Sequence, residues 1–177
     1  MRYTETSDLL FVAAFLLTGT SYLIHTVAHL RESHGQPGAD SDPFIGMIVA
    51  AGYAGWVAML FLDPVRYNIP EIATFSGGIA GAGGISLMVA AERARRGGYR
   101  SDTLVTTGVY RWMRHPMYAG IILMHIGFPL FFRAVVTLIS AAFWIPLIFI
   151  WRSWEEAELE EQFGDAYREY REEVRWF

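Results

Sequence analysis

Chemistry in this chain begins at Arg114-His115-Pro116, with Tyr118 two positions further on, and at the adjacent acids Glu155 and Glu156. Proline fits the first turn of a helix and holds the residue before it out of helical geometry. His115 is therefore expected at a helix N-terminus, where free N–H groups and the positive end of the helix dipole favour an anion. Arg114 and His115 can share one carboxylate or phosphate; the plainer reading is a membrane anchor with a capping histidine. Glu155 and Glu156 are either solvated at a helix end or, if that end lies beside His115, the acidic half of the same site. An acid facing an anion-binding helix end suits a zwitterion such as an amino-acid group. Arg152 is either an anchor reaching for the interface or a fork for a substrate carboxylate or phosphate.

His25 and His29 form a second cluster, four residues apart on one helical face, as a metal pair would be. A third ligand is not evident, with His34, His125 or an acid as the candidates, so no metal site is assigned. The other reading of the pair is hydrogen bonding within a bundle or the lining of a polar opening. His125 reads as a buried, hydrogen-bonded residue or part of a cavity wall. Cysteine is absent, which removes disulfides, thiolate metal sites and cysteine nucleophiles. Walker loop, dinucleotide fingerprint, zinc signature and serine elbow are all missing. The arginines are few and lie next to membrane segments, so nucleic acid is not an expected partner.

The elements that must position these groups are apolar. The chain has 177 residues, 53% hydrophobic and 18% charged, with the charge confined to short stretches. Leu9–Leu30, Phe44–Leu62, Ile69–Ala91, Tyr118–Phe132 and Ala134–Trp151 read as about five transmembrane helices, apolar all round instead of on one stripe. The fourth is short, is expected to be interrupted at Gly127 and Pro129, and forms a tight hairpin with the fifth. The expected fold is thus an all-α polytopic membrane protein in one domain, residues 1–177. Gly77 and Gly81 have the spacing that lets helices approach closely, or that leaves room for a lipid chain or cofactor. Thr103–Gly108 reads as an extended loop whose free backbone groups can hold a polar ligand.

Trp154–Phe177 is of another kind. Leu159, Phe163, Tyr167, Tyr170 and Val174 share one face and glutamates fill the others, so a C-terminal amphipathic helix is expected, with a kink or close contact at Gly164. Arg93, Arg95, Arg96, Arg100, Arg111 and Arg114 crowd the segment between helices three and four. The positive-inside rule puts that segment, both motifs and the C-terminus in the cytoplasm.

Together the two segments resemble the isoprenylcysteine carboxyl methyltransferase family and its relatives, the phospholipid methyltransferases. Gly108, Tyr110, Arg114, His115, Pro116 and Tyr118 carry the likeness, followed after the apolar hairpin by Glu155, Glu156, Leu159, Phe163, Gly164, Tyr167 and Tyr170. The resemblance spans roughly residues 103–177. It implies an integral membrane methyltransferase that uses S-adenosyl-L-methionine and releases S-adenosyl-L-homocysteine. Residues 92–177 would then be the cofactor-binding and catalytic core and 1–91 the variable helices. The implied cofactor site is Asp102, Thr103, Leu104, Val105, Tyr110, His115, Pro116, Met117, Tyr118 and Glu155; Arg152 and Glu156 are the implied catalytic residues. Members acting on a carboxylate tend to carry an arginine four residues before the first glutamate. Here Trp151 holds that place, and Arg152 follows about 100° round the helix.

The implied reaction is methyl transfer to a lipophilic acceptor among the membrane lipids, a carboxylate of an isoprenylcysteine-like or other lipid-like molecule. The expected setting is a prokaryotic cell membrane with the site facing the cytoplasm. A phospholipid amine or small thiol is the alternative acceptor; a proton-bearing acceptor would need a base, for which Glu156 and His125 are candidates. A reading of another class is a non-enzymatic protein that handles metal or haem through His25 and His29.

Overall fold

The computed structural model describes residues 5–32, 43–98 and 103–177. Six helices carry them: α1 Glu5–Glu32, α2 Pro43–Leu62, α3 Glu71–Gly98, α4 Pro116–Phe132, α5 Val135–Phe163 and α6 Asp165–Glu173, with a 3-10 turn at Gly108–Arg111. Helices α1, α2, α3 and α5 are long and apolar enough to cross a membrane. The outer faces keep their apolar side chains exposed, Leu16, Leu23, Phe75, Ile79 and Phe143 among them, as expected of helices solvated by lipid. Helix α4 has 17 residues, about 25 Å of rise, short of a full hydrocarbon core. It runs unbroken through Gly127 and Pro129.

Glycines bring α3 against α4 backbone to backbone. A Cβ on Gly84 would lie 2.5 Å from the Gly120 carbonyl oxygen, and one on Gly77 would lie 2.8 Å from that of Gly127. The small-residue spacing in α3 is thus used for close helix packing, which fixes the N-terminal end of α4 against α3.

At the end of the bundle away from the two motif segments, Asp63 is fully buried and closes the start of α5. Its Oδ2 accepts from the Thr137 main-chain N–H and hydroxyl, both at 2.7 Å, and Oδ1 accepts from Val65 N–H at 3.0 Å. Free N–H groups at a helix start are satisfied here by a side chain from another segment. Arg66 adds hydrogen bonds to the carbonyls of Phe132 and Phe61, and an antiparallel bridge joins Arg66 to Ala134. The α2–α3 and α4–α5 connections are thereby tied together.

The core between α1, α4 and α5 is aromatic, with Tyr22, Ile121, Trp144, Ile148 and Trp151 in one cluster. His125 on α4 is fully buried behind it. Its Nδ1–H donates to the Ile121 carbonyl at 2.9 Å, which leaves Nε2 to accept from the Tyr22 hydroxyl at 2.8 Å. The Trp56 indole lies 4.5 Å from the imidazole, centroid to centroid.

Helix α5 differs from expectation in where it stops. A separate amphipathic helix was expected from Trp154; instead α5 continues as one helix past Trp151 to Phe163, and the C-terminal helix is the nine-residue α6. Arg152–Phe163 contains no helix breaker and is rich in Glu, Ala, Leu and Gln, so nothing stops propagation until Gly164. There φ is 55°, a region favourable to glycine. The bend turns α6 back, so that Tyr167, Tyr170 and Val174 pack with Leu159, Phe163 and Leu104. The amphipathic stripe read from the sequence therefore spans two helices and a bend.

Candidate active site

Pro116 is the first residue of α4, and His115 before it takes φ −124°, ψ 60°, outside the helical region. His115 is 3% exposed. Its main-chain N–H donates to the Phe177 carbonyl at 2.8 Å and that of Arg114 to the Trp176 carbonyl at 3.1 Å. Arg114 adds a bond from Nη1 to the Val174 carbonyl at 2.6 Å. The segment after α6 thus holds the turn before α4 in place.

Across from this turn stands the polar part of α5. Glu156 Oε1 accepts from Arg114 Nη2 at 2.9 Å and lies 3.0 Å from His115 Nε2. Glu155 Oε2 lies 3.3 Å from His115 Nδ1. An imidazole with a carboxylate on each ring nitrogen donates to both only when doubly protonated. Tyr118 stacks on His115, 5.8 Å between centroids. Burial pushes the Glu155 carboxyl up, but the hydrogen bond and charge of His115, with Tyr118 and Arg95, outweigh it and hold the group below the ordinary carboxylate range. For Glu156 the same burial is outweighed by hydrogen bonds from Arg114 and His115 and by the charge of Arg152. Burial pushes the Tyr110 hydroxyl up to about 12, so it stays protonated. Tyr170 donates to the Tyr110 carbonyl at 2.7 Å, joining α6 to the 3-10 turn.

These groups surround a cavity of about 500 Å³, within the range of small-molecule sites. Of the residues expected to hold a cofactor, Thr103, Leu104, Val105, Tyr110, His115, Met117, Tyr118 and Glu155 line it. Pro116 is buried as the helix start and lies behind the wall. Asp102 and His34 lie outside the described residues. The set suits a zwitterion with an apolar body: the Glu155 carboxylate, the His115 imidazole, the Tyr118 hydroxyl and the side chains of Leu104, Val105 and Met117.

The two residues expected to act in catalysis stand outside the cavity wall. Glu156 sits in the network just described. Arg152 reaches Glu156 at 3.4 Å and lies over the Phe177 ring at 5.1 Å. Trp151, one turn before Glu155, does line the cavity, as do Tyr22, His25 and His29 of α1 and Tyr53 of α2. His125 stands behind this wall, bonded to the Tyr22 hydroxyl and the Ile121 carbonyl, both from residues that line it. Among the described residues no third ligand-type side chain completes a metal site with His25 and His29.

Gln162 also lines the cavity without having been named in the sequence, and Arg95 and Tyr167, read there as part of the arginine-rich segment and of a buried motif face, line it too. Gln162 stands seven residues after Glu155, on the same helical face, a spacing that becomes readable once α5 is known to continue.

Comparison with known proteins points the same way. Residues 96–166 match the family model described as phospholipid methyltransferase. The chain is similar to protein-S-isoprenylcysteine O-methyltransferase of Homo sapiens, 35% identical over 80 residues, 42% of this chain and 26% of that protein. It is similar to protein-S-isoprenylcysteine O-methyltransferase A of Arabidopsis thaliana, 39% identical over 77 residues, 40% of this chain and 36% of that one. For the Schizosaccharomyces pombe protein of the same name the figures are 35% over 76 residues, 42% and 32%. The matches thus span only about a quarter to a third of these relatives' lengths. No solved structure matches. The family likeness read from the two motif segments is borne out over the C-terminal part of the chain.

Proposed function

We propose that this chain, a membrane protein whose C-terminal part resembles the isoprenylcysteine carboxyl and phospholipid methyltransferases, transfers a methyl group from S-adenosyl-L-methionine to a lipophilic acceptor. One observation carries the reading: Thr103, Leu104, Val105, Tyr110, His115, Met117 and Tyr118 line a single cavity together with Glu155, which lies beyond the apolar hairpin in the sequence. Residues 92–177 act as the cofactor-binding core, facing the cytoplasm because the arginine-rich segment lies at that end.

S-adenosyl-L-methionine would bring a methyl group already activated on a sulfonium, so the protein's task is binding, alignment and the exclusion of water. In this reading Glu155 pairs with the ammonium of the cofactor's amino-acid group, and His115 and Tyr118 fix that end. Leu104, Val105 and Met117 cover its apolar parts. Glu156, held by Arg114, His115 and Arg152, positions His115; Arg152 acts through Glu156. The relatives' names support an oxygen nucleophile, and an isoprenylcysteine-like carboxylate is the acceptor they bring to this chain.

Calorimetric titration of S-adenosyl-L-homocysteine into detergent-solubilised protein tests the reading. Micromolar binding, weakened at least about tenfold in His115→Ala and Glu155→Ala, is expected from the loss of a charged hydrogen bond. Absence of binding by folded wild type removes the methyltransferase assignment.

A further inference from the structure

At the end of the bundle away from the motif segments, a second cavity of about 550 Å³ opens between the start of α3 and the end of α4. Glu71, Ile72, Thr74 and Phe75 of α3 line it, with Phe131 of α4 and Arg133 just after that helix. One cation, one acid and one hydroxyl thus share a recess with an apolar wall. Ile72 is 72% exposed and Phe75 65%, so the wall is open to the lipid that surrounds such a bundle. Phe131 is seated against α3: a Cβ on Gly78 would lie 2.8 Å from its ring.

Arg133 is the unusual residue. It caps α4 at φ 58°, ψ 31°, the left-handed region in which glycine sits without cost and a side chain does not. Its main-chain N–H closes the helix on the Leu130 and Pro129 carbonyls, and its carbonyl accepts from the Tyr67 N–H at 3.3 Å. Glycine would make all of these bonds. The negative end of the helix dipole favours a cation here, which offsets the backbone cost only in part. What the position gains over glycine is the guanidinium. Its Nε donates to the Thr74 hydroxyl at 3.4 Å, which ties the side chain to α3 and leaves the fork of Nη1 and Nη2 for a bidentate oxyanion.

Depth points to a lipid as the source of that oxyanion. The 17 residues of α4 rise about 25 Å, short of a full hydrocarbon core. Arg133 therefore stands closer to the bilayer centre than the end of a full-length span would. A charged side chain at that depth calls for a partner of opposite charge, and lipid phosphate is the oxyanion that borders the hydrocarbon.

We propose that this cavity binds a zwitterionic phospholipid as a resident ligand that does not react. Its phosphate lies on the Arg133 fork, its primary ammonium meets Glu71, and the first part of an acyl chain covers Ile72, Phe75 and Phe131. Glu71 supplies the selectivity: it repels a headgroup of net negative charge, and a quaternary ammonium has no N–H to donate to it. The proposal goes beyond the methyl-transfer reading and does not depend on it, since the cavity assigned to the cofactor lies at the other end of the bundle.

The test is a titration of delipidated protein in detergent, read as the thermal unfolding midpoint. The probes are phosphatidylethanolamine, phosphatidylcholine and phosphatidylglycerol with the same acyl chains, and the chainless headgroup glycerophosphoethanolamine. Phosphatidylethanolamine is expected to raise the midpoint saturably and further than the other two lipids, with no effect from the chainless headgroup. Arg133→Gly suits the left-handed turn, so the lipid-free variant should stay folded while its apparent affinity for phosphatidylethanolamine drops at least about tenfold. Arg133→Asn, also tolerated in that turn, should behave alike and guards against a defect peculiar to glycine. Glu71→Gln should abolish the preference for phosphatidylethanolamine over phosphatidylglycerol. The proposal is overturned by full stabilisation of Arg133→Gly by phosphatidylethanolamine, or by a wild type that responds to no lipid, to all three equally or best to one of the other two. Stabilisation by the chainless headgroup would overturn it as well, since it would mark a site for a soluble phosphate ester.

Discussion

Arg114 grips Glu156 with two nitrogens, Nε at 3.2 Å and Nη2 at 2.9 Å from the same Oε1, across 42 positions of sequence. The Arg114 side chain is 8% exposed and that of Glu156 20%. This pair closes the polar end of the α4–α5 hairpin and sets the distance between the turn before α4 and the acids of α5. Glu156→Ala leaves Arg114 and His115 without that acceptor, and a loss of about 2 kcal/mol is expected. Thermal unfolding in detergent measures it. Glu156→Gln keeps one acceptor oxygen and should recover part of the loss.

Acid should loosen this end first. Glu155 and Glu156 both lie below the ordinary carboxylate range in the folded protein. A depressed carboxyl contributes stability that is fully present above its unfolded value and is lost as pH falls through the folded one. The wild-type unfolding midpoint should therefore hold down to about pH 4.3 and fall below it. Glu156→Gln should show a shallower fall; an unchanged slope would remove Glu156 from the account.

Asp63 offers a test far from the cavity. Asp63→Ala strips the Thr137 N–H and hydroxyl of their buried acceptor. Expected is a loss of about 1–3 kcal/mol in stability, with S-adenosyl-L-homocysteine affinity unchanged in the folded protein. Calorimetry beside thermal unfolding separates the two quantities.

Neighbouring glycines on α3 should behave oppositely. A Cβ at Gly84 collides with the Gly120 carbonyl, whereas one at Gly83 meets nothing within 4 Å. Gly84→Ala should cost about 1–3 kcal/mol through overpacking. Gly83→Ala should be neutral within about 1 kcal/mol. Equal effects in the two variants would mean that α3 and α4 are not in close contact.

The parts of this architecture that local sequence encodes were readable. Proline at 116 forces the non-helical His115, glycine spacing in α3 announces a tight neighbour, and the 159–174 stripe announces a buried face. What depends on contacts between distant segments was not. That α5 continues to Phe163 is hidden by a change of composition from apolar to acidic at Trp151, which mimics a helix boundary. That Arg152 turns to Glu156 and Phe177 follows from a helical phase and from where the last residues lie. That His25 and His29 face the cavity requires α1 to lie beside Trp151, more than a hundred residues away in sequence, and no periodicity encodes that.

His125 carries a further consequence. With Nδ1 donating to Ile121 and Nε2 accepting from Tyr22, the ring is confined to one tautomer in a site closed to water. In a spectrum of the five nitrogen-labelled histidines, its two ring nitrogens should give a resonance pair that stays fixed while more exposed imidazoles shift with buffer. Such a pair is an internal gauge of the core, readable without ligand or turnover. A variant that keeps the pair and loses activity has lost chemistry; one that scatters it has lost its fold.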